Sequence, residues 1–170
     1  MDGLAAFTLF HVAISLVGIF AGFIVAAGLL SSKRLDGWTA IFLIFTVATS
    51  ATGFMFPFHG FKPSYVVGAI SLLILLAAIV ARYSRRMAGS WRWIYVVTAM
   101  IALYLNVFVL IVQSFMKVPA LRALAPTQSE PPFKLTQLVV LAIFVVLTVV
   151  ASIRFRIEPP RLGQLRSGSV

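Results

Sequence analysis

IALYLNVFVLIVQSFMKV, residues 101–118, lies inside the long apolar run that decides the fold of this chain. It forms the outer two-thirds of a helix that we predict over residues 93–118. At about 100° per residue, one narrow face of that helix is small or polar, and the rest is Leu, Ile, Val and Phe. The face consists of Tyr95, Ala99, Ala102, Asn106, Gln113 and Lys117. An amide in hydrocarbon needs a hydrogen-bond partner, so we expect this face to point at other helices.

The composition places the whole chain in the same class. Of its 170 residues, 61% are hydrophobic and only 11% are charged, which is too little charge to cover a water-soluble domain. Five apolar runs reach the roughly 20 residues needed to cross a hydrocarbon core of about 30 Å. We therefore predict an all-α integral membrane bundle of five transmembrane helices. The predicted helices cover residues 7–30, 38–58, 64–83, 93–118 and 134–153, within a membrane domain over 1–157 that precedes a basic tail over 158–170.

The first predicted helix carries a packing motif. No Lys or Arg precedes it and it exceeds the length of a signal-peptide core, so we expect it to be retained. Gly18 and Gly22 form a GxxxG motif, which lets another helix approach closely. The approaching helix can belong to the same chain or to a second copy. Gly53 and Gly68 are further predicted packing positions, in the second and third helices.

The distribution of basic residues predicts the orientation. Lys33, Arg34, Arg82, Arg85, Arg86, Arg92, Arg154, Arg156, Arg161 and Arg166 lie at one set of helix ends, and Lys62, Lys117, Arg122 and Lys134 at the other. The positive-inside rule places the ten in the cytoplasm, so the N-terminus is expected outside. In this chain of net charge +10, the ten cytoplasmic basic residues are then expected to face anionic lipid headgroups, with no role in nucleic-acid binding.

Several polar side chains are predicted to share one depth in the outer half of the bundle. Asn106 lies near the bilayer middle, and His11, Gln113 and Gln137 lie roughly 10 Å further out, at a rise of about 1.5 Å per residue. His59 is expected at the outer surface, near Lys117. We call His11, His59, Asn106, Gln113, Lys117 and Gln137 the polar layer. It can serve as a set of ties between helices, or it can line an outward-facing ligand pocket.

The residue types present disfavour most enzyme chemistry. The chain has no cysteine, and its four acids, Asp2, Asp36, Glu130 and Glu158, are expected in loops or termini. We therefore expect no catalytic residue, no metal site and no cofactor. The alternative is a b-type haem or a quinone held through His11 and His59, because neutral imidazole can ligate haem iron. A transporter or channel component is a third alternative, disfavoured by the lack of intramembrane acids and of repeats.

Four motifs carry a resemblance to a known group of proteins. They are KRLDGWT at 33–39, FPFHGF at 56–61, LNVF at 105–108 and KVPALRALAPTQSEPPF at 117–133. Over residues 7–157 the chain resembles a family of small, uncharacterised multi-pass proteins of the alphaproteobacterial inner membrane. The resemblance implies a bacterial inner-membrane location and brings no activity. The expected function is that of a non-enzymatic accessory or ligand-binding subunit, partnered by lipid and by a second copy or another membrane protein.

Overall fold

The architecture is helical throughout the part of the chain that the structure describes. The computed structural model describes residues 3–56 and 63–156, and within them it contains α-helix, one π-helical turn and no strand, which confirms the all-α prediction. The helices are α1 (Gly3–Leu30), α2 (Asp36–Gly53), α3 (Pro63–Ile79), α4 (Trp91–Lys117), α5 (Pro119–Leu124) and α6 (Pro131–Arg154). The π-helical turn, Val80–Ser84, continues α3 directly.

Within residues 3–56 and 63–156, four helical segments are long and apolar enough to cross a membrane. They are Gly3–Leu30, Tyr65–Ser84, Trp91–Lys117 and Pro131–Arg154. The remaining predicted span, α2, has 18 residues, begins at Asp36 and carries five hydroxyl side chains, so it is shorter and less apolar. At about 1.5 Å per residue it is roughly 27 Å long.

The second helix ends earlier than the sequence predicted. We expected it to continue to Phe58, but α2 stops at Gly53, where the amide of Phe54 turns back to the carbonyl of Ala51 at 3.1 Å. Glycine is a poor helix former, and Pro57 disfavours helical geometry at the residue before it. The prediction was wrong because it treated Pro57 as the only stop signal. Phe58 itself, like His59, lies outside the described residues.

The helices pack around a core in which alanines alternate with larger side chains such as Leu, Phe, Met and Tyr. α1 packs along α2, α3 along α4, and α6 lies against α4 and α1. Half of the most apolar stretch of α1 is buried inside the protein, compared with 17% for α6. α1 is therefore central, and α6 presents most of its Leu, Val and Ile side chains outward, as expected for a helix that faces lipid.

Three of the four predicted packing glycines lie at close helix contacts within the chain. A Cβ atom at Gly22 would lie 2.5 Å from Leu103 Cδ1 and 3.0 Å from the Phe42 ring, and one at Gly18 would lie 3.3 Å from Thr46 Oγ1. The GxxxG groove is thus filled by α2 and α4 of the same molecule. A Cβ atom at Gly68 would similarly lie 3.1 Å from the Phe54 ring, whereas one at Gly53 would meet only His11 Cε1, at 3.9 Å.

A folded loop connects α5 to α6. Glu130 accepts hydrogen bonds from the amides of Thr127 and Ser129, at 3.2 and 3.0 Å, and from the Thr127 hydroxyl at 2.8 Å. Desolvation favours the protonated carboxyl, but these hydrogen bonds outweigh it and hold the pKa of Glu130 below its ordinary value. The loop is tied to α4 as well, because Gln128 donates to the carbonyl of Val112 at 2.9 Å.

Candidate functional site

His11 is fixed in one orientation by a hydroxyl on α2. Its Nδ1 lies 2.8 Å from Thr52 Oγ1, and that hydroxyl donates its single proton to the carbonyl of Ala48 at 2.7 Å. Thr52 therefore accepts from the Nδ1–H of His11, and the neutral ring keeps its lone pair on Nε2. Nε2 has no hydrogen-bond partner in the described part of the chain. This nitrogen can accept a hydrogen bond or ligate a metal.

The surroundings of the His11 ring are aromatic. The ring of Phe56 meets it edge-on at a centroid distance of 5.1 Å, and Phe7 lies 4.9 Å from Phe56. Gly53 lies beside the imidazole, where an added Cβ atom would make an ordinary van der Waals contact with His11 Cε1 at 3.9 Å. The imidazole is half-buried at the edge of the contact between α1 and α2.

The two amides of the polar layer whose partners are described bond to different helices. Asn106 on α4 donates to the buried Thr46 Oγ1 on α2 at 3.1 Å. Gln137 on α6 donates through Nε2 to the carbonyl of Phe108 on α4 at 3.3 Å. Together with the bond between His11 and Thr52, these bonds join α1 to α2, α2 to α4, and α4 to α6. The amides therefore connect neighbouring helices and do not bond to each other.

The remaining groups of the polar layer make fewer hydrogen bonds. Gln137 Oε1 is buried without a hydrogen-bond partner among the described residues. Gln113 makes no side-chain hydrogen bond to another described residue, and it is partly exposed. Lys117, at the end of α4, lines an open cavity of about 390 Å³ that none of the other described polar-layer residues lines. That cavity is formed by Met116, Lys117, Pro119, Arg122, Ala123 and Pro126.

The most deeply buried charge lies at the opposite end of the bundle, in a cluster that sequence reasoning did not predict. Arg82, in the π-helical turn, is 3% exposed and forms an ion pair with Asp36 at the start of α2. Its guanidinium carbon lies 4.9 Å from the centre of the Tyr95 ring, and Tyr95 Oη lies 3.4 Å from Thr39 Oγ1. Burial of Arg82 is tolerable because it has both a carboxylate and an aromatic face as partners.

A sequence signal for this cluster existed. Asp36 is the only acid between residues 3 and 129, so a buried arginine in that part of the chain has one candidate counter-ion. Treating Asp36 as a loop residue concealed the pair. The π-helical turn, a feature that recurs at functional sites, has no comparable signature in the sequence.

A second arginine at the same end holds the last turn of α6. Arg92 Nη1 donates to the carbonyls of Phe155 and of Ser152, the latter at 3.4 Å. These carbonyls lack partners within their own helix, so the guanidinium satisfies them and complements the negative end of the helix dipole. Nearby, Ser32 Oγ accepts from the amide of Arg156 at 3.0 Å and donates to its carbonyl at 3.2 Å.

Neither end of the described bundle contains an assembled metal site. Among residues 3–56 and 63–156, no three His, Cys, Asp or Glu side chains come together in a way that could hold a metal ion. His59, the second predicted haem ligand, lies outside these residues. Comparison of the chain with models of protein families, with curated proteins and with solved structures finds no match in any of the three.

Proposed function

We propose that the chain is a multi-pass protein of a bacterial inner membrane in which α2 is a fifth span, with the N-terminus outside and the C-terminus in the cytoplasm. The contacts of α2 support this topology. Its first residue, Asp36, pairs with Arg82 at the end of α3, and Thr52, in its last turn, bonds to His11 near the start of α1. α2 thus extends along most of the bundle beside α1, despite its hydroxyl-rich sequence.

The absence of cysteine from the chain makes this topology directly measurable. Ser31→Cys, Ser90→Cys and Ser129→Cys each place one thiol at an exposed position between helices. With five spans, a membrane-impermeant maleimide should label Ser129→Cys in cells whose outer membrane is permeabilised. Ser31→Cys and Ser90→Cys should react only after the inner membrane is opened. If α2 does not cross, residues 31 and 90 lie on opposite sides, and only one of the two will be protected.

Within that topology we propose a non-enzymatic role, as an accessory or lipid-binding subunit. The observation that supports this role is that polar-layer side chains form hydrogen bonds between helices. The polar side chains expected to line a pocket join three pairs of neighbouring helices, through His11, Asn106 and Gln137. Such bonds are worth roughly 1 kcal/mol each in a membrane bundle and serve packing. A protein partner, or a second copy, would then pack on the outer faces of α3 and α6, which are the least covered.

The second candidate function is redox binding through His11. The hydrogen bond to Thr52 leaves Nε2 unprotonated, which is the state needed to ligate a b-type haem or to accept a hydrogen bond from a quinol. The flanking Phe56 offers an aromatic surface for a planar ligand. His59 would supply the second ligand if a haem were held in the predicted way.

An absorption spectrum separates the two candidates. Protein purified in mild detergent, from cells supplied with a haem precursor, is expected to show no stoichiometric haem band and no extracted quinone. A band that disappears in both His11→Ala and His59→Ala would instead establish the redox function. Thr52→Val is the matched variant, because it removes the bond that orients the imidazole and keeps His11 in place. It should shift or weaken a genuine haem band.

A further inference from the structure

The basic end of the bundle contains an open cavity of about 480 Å³. We define the basic end by the contacts of Asp36 with Arg82, of Ser32 with Arg156, and of Arg92 with the last turn of α6. Its cavity lies between the turn that precedes α4 and the end of α6, and it is lined by Met87, Gly89, Arg92, Trp93, Ile153 and Arg156. Two arginines, a tryptophan and apolar side chains thus meet in one concave surface.

Positive charge at this end is not balanced by the described residues. Eight basic side chains lie there, and the only described carboxylate is that of Asp36. Asp36 is already paired with both Arg34 and Arg82. Neither cavity arginine has a carboxylate partner in the described part of the chain. A group of cations that lacks internal counter-ions attracts an external anion.

The side chain of Arg92 and the backbone of Arg156 are held in position before any ligand arrives. Arg92 is anchored through Nη1 to the last turn of α6, and its guanidinium carbon lies 5.1 Å from the centre of the Trp93 ring. Among the described residues only Nη1 is engaged in hydrogen bonds, which leaves the other donors of the guanidinium available for an anion. The backbone of Arg156 is fixed by its two hydrogen bonds with Ser32.

We propose that this cavity binds the phosphate of an anionic phospholipid headgroup, with Arg92 and Arg156 as its donors. The guanidinium fork matches the geometry of a phosphate. Trp93 is a residue type that favours the level of the headgroups, and Ile153, 58% exposed, extends the cavity toward the acyl region. Basic pockets between helices at the cytoplasmic side are where such headgroups bind. The inference rests on the proposed topology, which puts this end at the cytoplasmic leaflet.

The test is lipid retention by the full chain in detergent, measured by native mass spectrometry. Phosphatidylglycerol is compared with phosphatidylcholine of the same acyl chains and with inorganic phosphate. One phosphatidylglycerol is expected to be retained at least tenfold more strongly than phosphatidylcholine. Arg156→Gln should reduce that retention about tenfold, because a charge-assisted hydrogen bond is lost. Arg154→Gln is the matched control, since Arg154 is the last residue of α6, two positions before Arg156, and does not line the cavity. It should change retention less than twofold.

Two results would overturn the proposal. Equal losses of lipid retention in Arg156→Gln and Arg154→Gln would mean that diffuse surface charge, and not a defined site, holds the lipid. Binding of inorganic phosphate with the same dependence on Arg156 would mean that the ligand is a soluble phosphate. Arg92→Gln is a second variant. Because Arg92 also caps α6, its lipid retention is compared with that of the parent protein only if its size-exclusion elution and helical content are unchanged. The assay does not depend on orientation, so a failed topology experiment and a failed lipid site are distinguishable.

Discussion

Asp36→Asn is expected to lower the free energy of unfolding by about 2–3 kcal/mol. The substitution leaves the guanidinium of Arg82, whose side chain is 2% exposed, without its counter-ion. Breaking a fully buried pair costs about 3–5 kcal/mol. The expected loss here is smaller because the Asp36 side chain is 68% exposed, so water screens part of the interaction. The loss is measured by unfolding in mixed micelles, followed by circular dichroism.

The same carboxylate provides the matched control. Arg34 also contacts Asp36, at 2.9 Å, but its side chain is 49% exposed, so Arg34→Gln should cost about 0–1 kcal/mol. The double variant Asp36→Asn with Arg82→Met should recover most of the loss, because an apolar side chain replaces the unpaired charge. If Asp36→Asn cost no more than Arg34→Gln, the buried pair would contribute nothing and the assignment would be wrong.

Gly22→Val is the second substitution with a large expected effect, about 3 kcal/mol of lost stability. A Cβ atom at this position would meet Leu103 Cδ1 at 2.5 Å and two atoms of the Phe42 ring at 3.0 Å. Leu103 and Phe42 are each 1% exposed, so neither has free space to move into. The branched side chain therefore has to push α1 away from α2 and α4, an overpacking cost in the upper part of the usual range.

The control for this variant is the same substitution where no neighbour is close. A Cβ atom at Gly37, in the first turn of α2, would have nothing within 4 Å. Gly37→Val should therefore change the unfolding free energy by about 0.5 kcal/mol or less. Both variants are compared with the parent protein in the mixed-micelle assay. Equal effects at the two positions would show that α1 packs more loosely than the Gly22 contacts require.

The sequence predicted the helices well where hydrophobic length alone decides them. The run around residues 101–118 predicted a helix that is long and apolar enough to cross a membrane. The part of its polar face that contains Tyr95 and Asn106 turns inward, because a buried amide must find a partner, whereas Lys117 on the same face is exposed. Asn106 indeed bonds to Thr46, and Tyr95, on the same face, is fully buried. A helical wheel gives the direction of a side chain, but it does not identify the helix that will lie opposite.

The candidate sites were harder to predict for the same reason. The partners of His11, Gln137 and Arg82 are a threonine hydroxyl, a backbone carbonyl and an aspartate, and none is distinguished by its position along the chain. The positions of Lys and Arg along the chain predicted that positive charge would gather at one set of helix ends. They could not predict that Arg92 would donate to the end of α6 through Nη1 and keep its other donors unbonded among the described residues. That outcome depends on how two helix ends that are distant in sequence meet.

The two hydrogen bonds between Ser32 and Arg156 limit the order in which the contacts of the bundle can form during synthesis. These residues are 124 positions apart, and they join the first loop of the bundle to the segment after its last helix. A ribosome delivers the N-terminal helices first, so α1 to α4 are in place while α6 is still being made. Because Arg156 follows α6 in the chain, its bonds to Ser32 can form only after α6 has been synthesised. Until then α1 and α4 lack the contacts that α6 provides.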